Sequence, residues 1–340
     1  MADGEAAPSK EAPRIVLWHG NCQRFGAVGH PQRWVNVLGT VESGGEIASA
    51  LFSLNGAEPK PFSLGPDGHR LARPGDFNID LDRAGLLPGE NTLWLRVETR
   101  EGASDEARVA VEYANPGARW PLPYSIDWSR GAALGESVQI VDGKWVLTPQ
   151  GVRTVEPYYD RVLAFGDESW IDYEIATTVI FHGFTPPRPG PPTFGVSHAA
   201  ICVRWPGHDI DDFQPHRKWW PLGATAEFCL SDDLRQCKWR INRSRGRKAF
   251  SEPMEIRLGA AYRMKHRVIT PADGVPRFSV KLWAEGQPEP EAWDAEDAAR
   301  ESDQAFRGGA LLIAHNTDVT FGNVTAIPAI AGEIAPKGVS

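Results

Sequence analysis

Between Val203 and Trp220 the chain reads VRWPGHDIDDFQPHRKWW, which gathers Arg204, Trp205, His208, Trp219 and Trp220 among prolines and acidic residues. Indole faces stack on the apolar face of a sugar ring, while guanidinium, imidazole and carboxylate groups hydrogen-bond its hydroxyls. The stretch is therefore expected to recognise an oligo- or polysaccharide. A second candidate lies in RFSVKLWAEG. There Phe278, Val280 and Leu282 alternate with Arg277, Lys281, Trp283 and Glu285, so strand periodicity sets Trp283 on a polar face between a cation and a carboxylate. In TAEFCLS, Glu227 falls opposite Phe228.

These residue types admit two reactions. Hydrolysis of a glycosidic bond needs two carboxylates flanking the scissile oxygen, and Glu227 and Glu285 are the candidates if they meet across a groove. Asp172 and Glu174 in SWIDYEI share one strand face, about 7 Å apart at Cα, and read better as surface solvation. Elimination at a uronate needs a Tyr or His base and a cation on the sugar carboxylate. His198, His208, His216, Arg204 and Lys218 offer those types. His208, Asp209, Asp211, Asp212 and His216 together resemble a mixed N/O ligand set but read as a solvated polar loop, so no metal is expected. Cys22, Cys202, Cys229 and Cys237 form no CxxC pair; reduced thiols are expected, with a Cys229–Cys237 hairpin disulfide as the alternative in an oxidising compartment.

The elements that must carry these groups are strands. In 340 residues, 34 glycines and 28 prolines interrupt any long helical pattern, and 13 tryptophans exceed what core filling requires. Two domains are the expectation at this length. RWVNVLGTV, SALFSLNG, KPFSL, FNIDLD, NTLWLRVET and ARVAVEY recur between Gly, Pro and Asn-Gly signals, the spacing of a β-sandwich. In NTLWLRVET, Leu93, Leu95 and Val97 form the inward set. ANPGARWPLP, at 114–123, marks the boundary between a first sandwich over 14–115 and a second domain over 116–329; 1–13 and 330–340 read as tails. SVQIVDGKWVLTP reads as a hairpin with an Asp142-Gly143 turn.

A net charge of −8 argues against general nucleic-acid affinity. The local run Arg240, Arg243, Arg245, Arg247 and Lys248 reads as a solvated hairpin loop rather than an anion site. No apolar run is long enough for membrane insertion. The first dozen residues have neither a basic n-region nor an apolar h-region. That predicts a cytoplasmic protein, or an extracytoplasmic one whose leader has been removed.

The segment LLPGENTLWLRVETREGASDEARVAVEY resembles the closing hairpin of bacterial immunoglobulin-like, cadherin-like domains. Further on, Tyr262, Lys281, Trp283, Gly286, Glu289, Pro290, Trp293, Gly309, Phe321, Asn323 and Val324 carry a pattern that resembles the last strands of concanavalin A-like, laminin-G-type jelly rolls of bacterial carbohydrate-associated proteins. The two resemblances imply an all-β chain, an immunoglobulin-like β-sandwich followed by a concanavalin A-like jelly-roll β-sandwich. The second implies glycans bound along a concave face or loop rim, and leaves calcium open at Asp211 or Asp318 with no other cofactor. Carbohydrate binding is the leading expectation. A glycoside hydrolase or polysaccharide lyase using the same groove is the alternative, and a protein–protein adhesion module the third.

Overall fold

The computed structural model describes residues 12–27, 29–114, 120–130, 133–185, 196–243, 248–298 and 304–330. The expected tail before residue 12, part of the 114–123 join, Arg245 and Arg247 lie outside them. Among the described residues the chain is all-β, apart from two single-turn 3-10 helices. The first sandwich comprises β1 (Arg14–Leu17), β2 (Cys22–Phe25), β3 (Trp34–Glu42), β4 (Ile47–Leu54), β5 (Lys60–Pro61), β6 (Asp76–Asp82), β7 (Gly89–Thr99) and β8 (Ser104–Tyr113). A three-stranded sheet ordered β1-β3-β6 faces a five-stranded sheet ordered β2-β8-β7-β4-β5. Leu93, Leu95 and Val97 point inward onto Val37, Phe77 and Ile79, as their period-two spacing predicts.

The second sandwich begins with β9 (Tyr124–Ile126), β10 (Gln139–Asp142), β11 (Trp145–Thr148), β12 (Gly151–Thr154), β13 (Arg161–Phe165), β14 (Tyr173–Phe184), β15 (His198–Trp205) and β16 (Ala224–Cys229). It continues with β17 (Lys238–Asn242), β18 (Ala249–Phe250), β19 (Ala261–Ile269), β20 (Arg277–Ala284), β21 (Ala295–Ala298), β22 (Gly309–His315) and β23 (Thr317–Pro328). A seven-stranded sheet, β10-β13-β22-β15-β16-β17-β18, packs on an eight-stranded one, β11-β12-β23-β14-β19-β20-β21 with β9 on β23. Ala199, Ile201, Val203, Phe228 and Trp239 from the first meet Val179, Phe181, Met264, Phe278 and Phe321 from the second.

The expected Asp142-Gly143 hairpin is not one. β10 pairs with β13 and β11 with β12, so this turn is a corner that moves the chain from one sheet to the other. Gly143 takes φ +81° there, conformational space a side chain enters at a cost. The side chain of the neighbouring Asp142, whose backbone pairs with Val162, accepts from Arg70 and Asn78 of the first sandwich.

A polar seam joins the two sandwiches. Arg70 is buried and donates to Asp80 at 2.6 Å, to Asp142 at 2.7 Å and to the His216 carbonyl at 2.8 Å. Two flanking carboxylates keep its guanidinium charged despite burial. The indole N–H of Trp34 donates to the His208 carbonyl at 2.6 Å, and Asn78 donates to the Val141 carbonyl at 2.7 Å. At Gly309 an added Cβ would lie 2.3 Å from the Pro31 oxygen, which is how closely the first sandwich approaches β22.

Candidate functional site

The stretch expected to recognise a sugar is largely occupied within the chain. Residues 206–222 form a wedge between the sandwiches. Ser63 N–H donates to Gln214 O at 2.9 Å, His216 N–H to Asp80 at 2.8 Å and Arg33 N–H to Pro206 O at 2.8 Å, and His216 packs 4.5 Å from the Trp34 ring. Trp205 is fully buried on Leu222, Cys202 and Leu311, so its indole has no free face. His208 lies edge-on between Trp205 and Trp219, and burial holds its imidazole neutral, well below its ordinary pKa. Trp219 is half-buried on Trp205; Trp220, 42% exposed, keeps a free face.

Arg204 is also withdrawn from any groove. The pairing of β15 with β22 shifts register between Val203 and Trp205, and Arg204 takes φ +53° there. The extra residue at this bulge exchanges the faces that plain alternation assigns. Trp205 turns to the outer face. Arg204 turns to the end of the sandwich, where it donates to Asp172 at 2.8 Å, Thr270 at 2.6 Å and the Ile171 carbonyl at 2.8 Å.

Lys281 and Trp283 belong to the other sheet, and Glu285 to the turn that follows their strand. Phe278, Val280 and Leu282 fill the core, so Lys281 and Trp283 stand on the outer face of the eight-stranded sheet, as read from the alternation. Lys281 is tied down there by Glu289 and the Pro290 carbonyl, both at 2.7 Å. Lys265 bridges Glu174 at 2.6 Å and Glu289 at 2.7 Å. Glu285 is exposed and accepts from the Thr178 hydroxyl at 3.0 Å. Glu227 projects from the outer face of the seven-stranded sheet. Glu227 and Glu285 thus stand on opposite sides of the sandwich and do not flank one bond.

What the seven-stranded sheet does assemble around Glu227 follows from register. His198 lies directly opposite His315 on one side and Cys229 on the other, while Glu227 lies opposite Arg240 and Ala200. All have the parity that points away from the core. The outer face is therefore divided lengthwise. Val162, Ala164, Ala200, Cys202, Leu311 and Ile313 make an apolar half sealed by Trp205 and Leu222. The other half is a polar row.

In that row Asp160 accepts from His315 Nδ1 at 2.7 Å, and the His198 and His315 rings stack at 4.6 Å, 2° from parallel. Arg240 and Asn242 both donate to the Glu227 carboxylate, Asn242 at 3.0 Å. Tyr159 meets His315 edge-on at 5.1 Å and His69 of the first sandwich at 6.0 Å. Burial dominates His198 and pushes its pKa to about 4, so the ring is neutral near pH 7. Burial opposes the charge on Asp160, but the hydrogen bond from His315 and the nearby Arg161 guanidinium outweigh it and keep the carboxyl ionised. The Asp160 charge, together with burial, raises the Tyr159 hydroxyl far above its ordinary value.

Of this row the sequence reading named only Glu227 and His198, with Arg240 assigned to a solvated loop. The missing signal was present. SHAAICV and LLIAH are apolar strands with a histidine at one end, which costs burial and wants a partner.

The calcium positions are occupied by protein groups. Asp211 accepts from the backbone N–H groups of Phe213, Arg217 and Lys218, and Asp318 is bound by Arg153 through two nitrogens at 2.8 and 2.7 Å. An open cleft of about 500 Å³ lies at the β9–β23 edge of the eight-stranded sheet, lined in part by Tyr124, Asp127, Arg130 and Asn323. Its Asp127 and Arg130 pair with each other at 3.0 Å. The four cysteines are free thiols.

No protein-family model matches the chain, and no curated sequence is significantly similar to it. Solved structures with a similar course include the metal-free exoplasmic/lumenal domain of VIP36, at 11% identity and TM-score 0.40, covering 63% of this chain and 95% of that one. The carbohydrate recognition domain of Emp47p follows at 9% identity and TM-score 0.39, covering 62% and 97%. A Bacillus subtilis protein of unknown function with a galectin-like fold shows 10% identity and TM-score 0.40, covering 61% and 96%.

Proposed function

We propose that the protein binds a carbohydrate on the polar half of the seven-stranded sheet's outer face. The observation that carries this reading is the row itself. His315, His198, Glu227, Arg240 and Asn242 come from four adjacent strands, and hydrogen bonds fix them in place before any ligand arrives. Donors and acceptors set on a rigid sheet beside the half-buried rings of Tyr159 and His69 suit a hydroxyl-rich ligand, because little ordering is left to be done on binding. Arg240 matches the charge of Glu227, and Asp160 is engaged by the His315 N–H, which favours a neutral sugar over an anionic one. The same pairing weighs against turnover. Glu227 is engaged by two donors, and Arg240, the cation a uronate lyase would need, already faces a carboxylate. We read the split three- and five-stranded sandwich over 14–115 as an immunoglobulin-like spacer, and the unit over 116–329 as a concanavalin A-like jelly roll of laminin-G type.

A glycan array followed by calorimetric titration tests the reading. Tyr159→Ala and Asn242→Ala should each weaken binding about five- to tenfold, the effect of losing on the order of 1 kcal/mol. Trp283→Ala, on the opposite sheet, should leave affinity unchanged. Binding that survives both changes in the row but falls with Trp283→Ala or Trp220→Ala would move the site elsewhere.

A further inference from the structure

The two stacked histidines have more to offer than hydrogen bonds to a sugar. Nδ1 of His198 lies 2.8 Å from the Val196 carbonyl oxygen, which can only accept. That nitrogen therefore carries the proton, and Nε2 keeps its lone pair. Nδ1 of His315 faces the Asp160 carboxylate at 2.7 Å and is likewise the protonated nitrogen. Among the described residues the buried Nε2 of His315 meets no hydrogen-bond partner. Two buried imidazoles, each oriented through Nδ1 by a carbonyl or a carboxylate, is the arrangement in which histidines present Nε2 to a metal.

We propose that His198 and His315, the latter oriented by Asp160 through Nδ1, form a site for a divalent transition-metal ion. One ligand atom of each histidine and an oxygen of Asp160 lie within 4.8 Å of one another. Two imidazoles suit ions of intermediate softness such as zinc, cobalt(II) or nickel(II), and give calcium or magnesium no oxygen. The strands hold this spacing, since His198 and His315 are direct cross-strand partners. A cation would satisfy the bare nitrogen of His315 and offset the charge of the half-buried Asp160. On the far side of His198, Glu227 and Cys229 form a second group within 4.8 Å of it, so further donors stand beside the same histidine. The inference does not depend on the carbohydrate reading, and neither test uses the other's ligand.

The full chain, stripped with a chelator, is titrated with cobalt(II) alone. One equivalent should bind with visible d–d absorption, and zinc should displace it. His198→Gln and His315→Gln should each weaken binding by more than about 100-fold, the upper end of what outer-shell changes cost. Trp220→Ala should bind as the parent does. No binding at millimolar cobalt, or equal affinity in the histidine variants, overturns the site, because other histidines would then account for any uptake. Should the variants fail to fold by circular dichroism, X-ray absorption of the zinc-loaded parent decides. Two imidazoles around the zinc support the site; fewer than two reject it.

Discussion

On the outer face of the eight-stranded sheet, Lys265 and Lys281 share Glu289, and Lys281 and Arg267 each lie 4.4 Å over the Trp293 ring. All of these groups come from two strands and the loop that follows them. The seven-stranded sheet draws its cover from farther away. Its apolar half lies under the 206–222 wedge, which is itself clamped by the first sandwich, and its polar half keeps a buried imidazole nitrogen with no hydrogen-bond partner among the described residues. A face whose own flanking loop neutralises it has its carboxylates and ammonium groups met close by, however rich in Trp and Lys, and leaves over only Arg267 Nε among the described residues. A face closed from a distance can be closed in part, and the polar groups left over are where we place the proposed ligands.

The largest expected effect tests that distant clamp. Arg70→Ala leaves Asp80 and Asp142 buried without their cation, and breaking a buried pair from one side costs about 3–5 kcal/mol. Chemical denaturation should show a loss of that order. A loss below about 1 kcal/mol would mean the seam is loose and the apolar half owes its cover to the wedge alone.

Acid should act on the interior between the two sheets. His266 points inward from β19, bonds the Ile201 carbonyl through Nδ1 at 3.0 Å, and is pushed by burial to a pKa of about 4. Between pH 4 and 6.5 the unfolded chain takes up a proton there that the folded chain refuses. Stability is therefore complete above pH 6.5 and declines as pH falls toward 4, by up to about 3 kcal/mol from this residue. His208, shifted in the same direction, adds to the slope. Melting temperatures across this range should fall steeply in the parent and less in His266→Gln. An unchanged slope would place the acid sensitivity on the outer face rather than between the sheets.

Strand content was legible because it rests on local period: Leu93, Leu95 and Val97, and likewise Phe278, Val280 and Leu282, face inward where alternation sets them. The site was not, because it rests on pairing. Nothing in SHAAICV says that His198 will meet His315, more than a hundred residues on at the end of β22. A single bulge at Arg204 exchanged the faces of Arg204 and Trp205, and no residue there announces it, since a glycine would have been the local signal. The tryptophan-rich loop read as a recognition surface does recognise a partner, the first sandwich of the same chain. Composition showed the stickiness of that loop but could not say what it would meet.

The smallest effect bears on the self-neutralised face. Glu289→Gln removes the carboxylate that Lys265 and Lys281 share, yet Lys265 retains Glu174 and Lys281 retains the Pro290 carbonyl. The Glu289 side chain is 43% exposed, so water screens much of the attraction. Burial works against its charge, and the hydrogen bonds from Lys265 and Lys281 more than compensate, setting its carboxyl below the ordinary value. That contribution is present above about pH 4.5 and is lost as the group protonates in acid. The substitution should therefore cost less than about 1 kcal/mol at neutral pH and still less in high salt, read by denaturation at two ionic strengths. A salt-independent loss of 2 kcal/mol or more would show a face as tightly organised as the His198 row, and the contrast between the two sheets would no longer single out the latter.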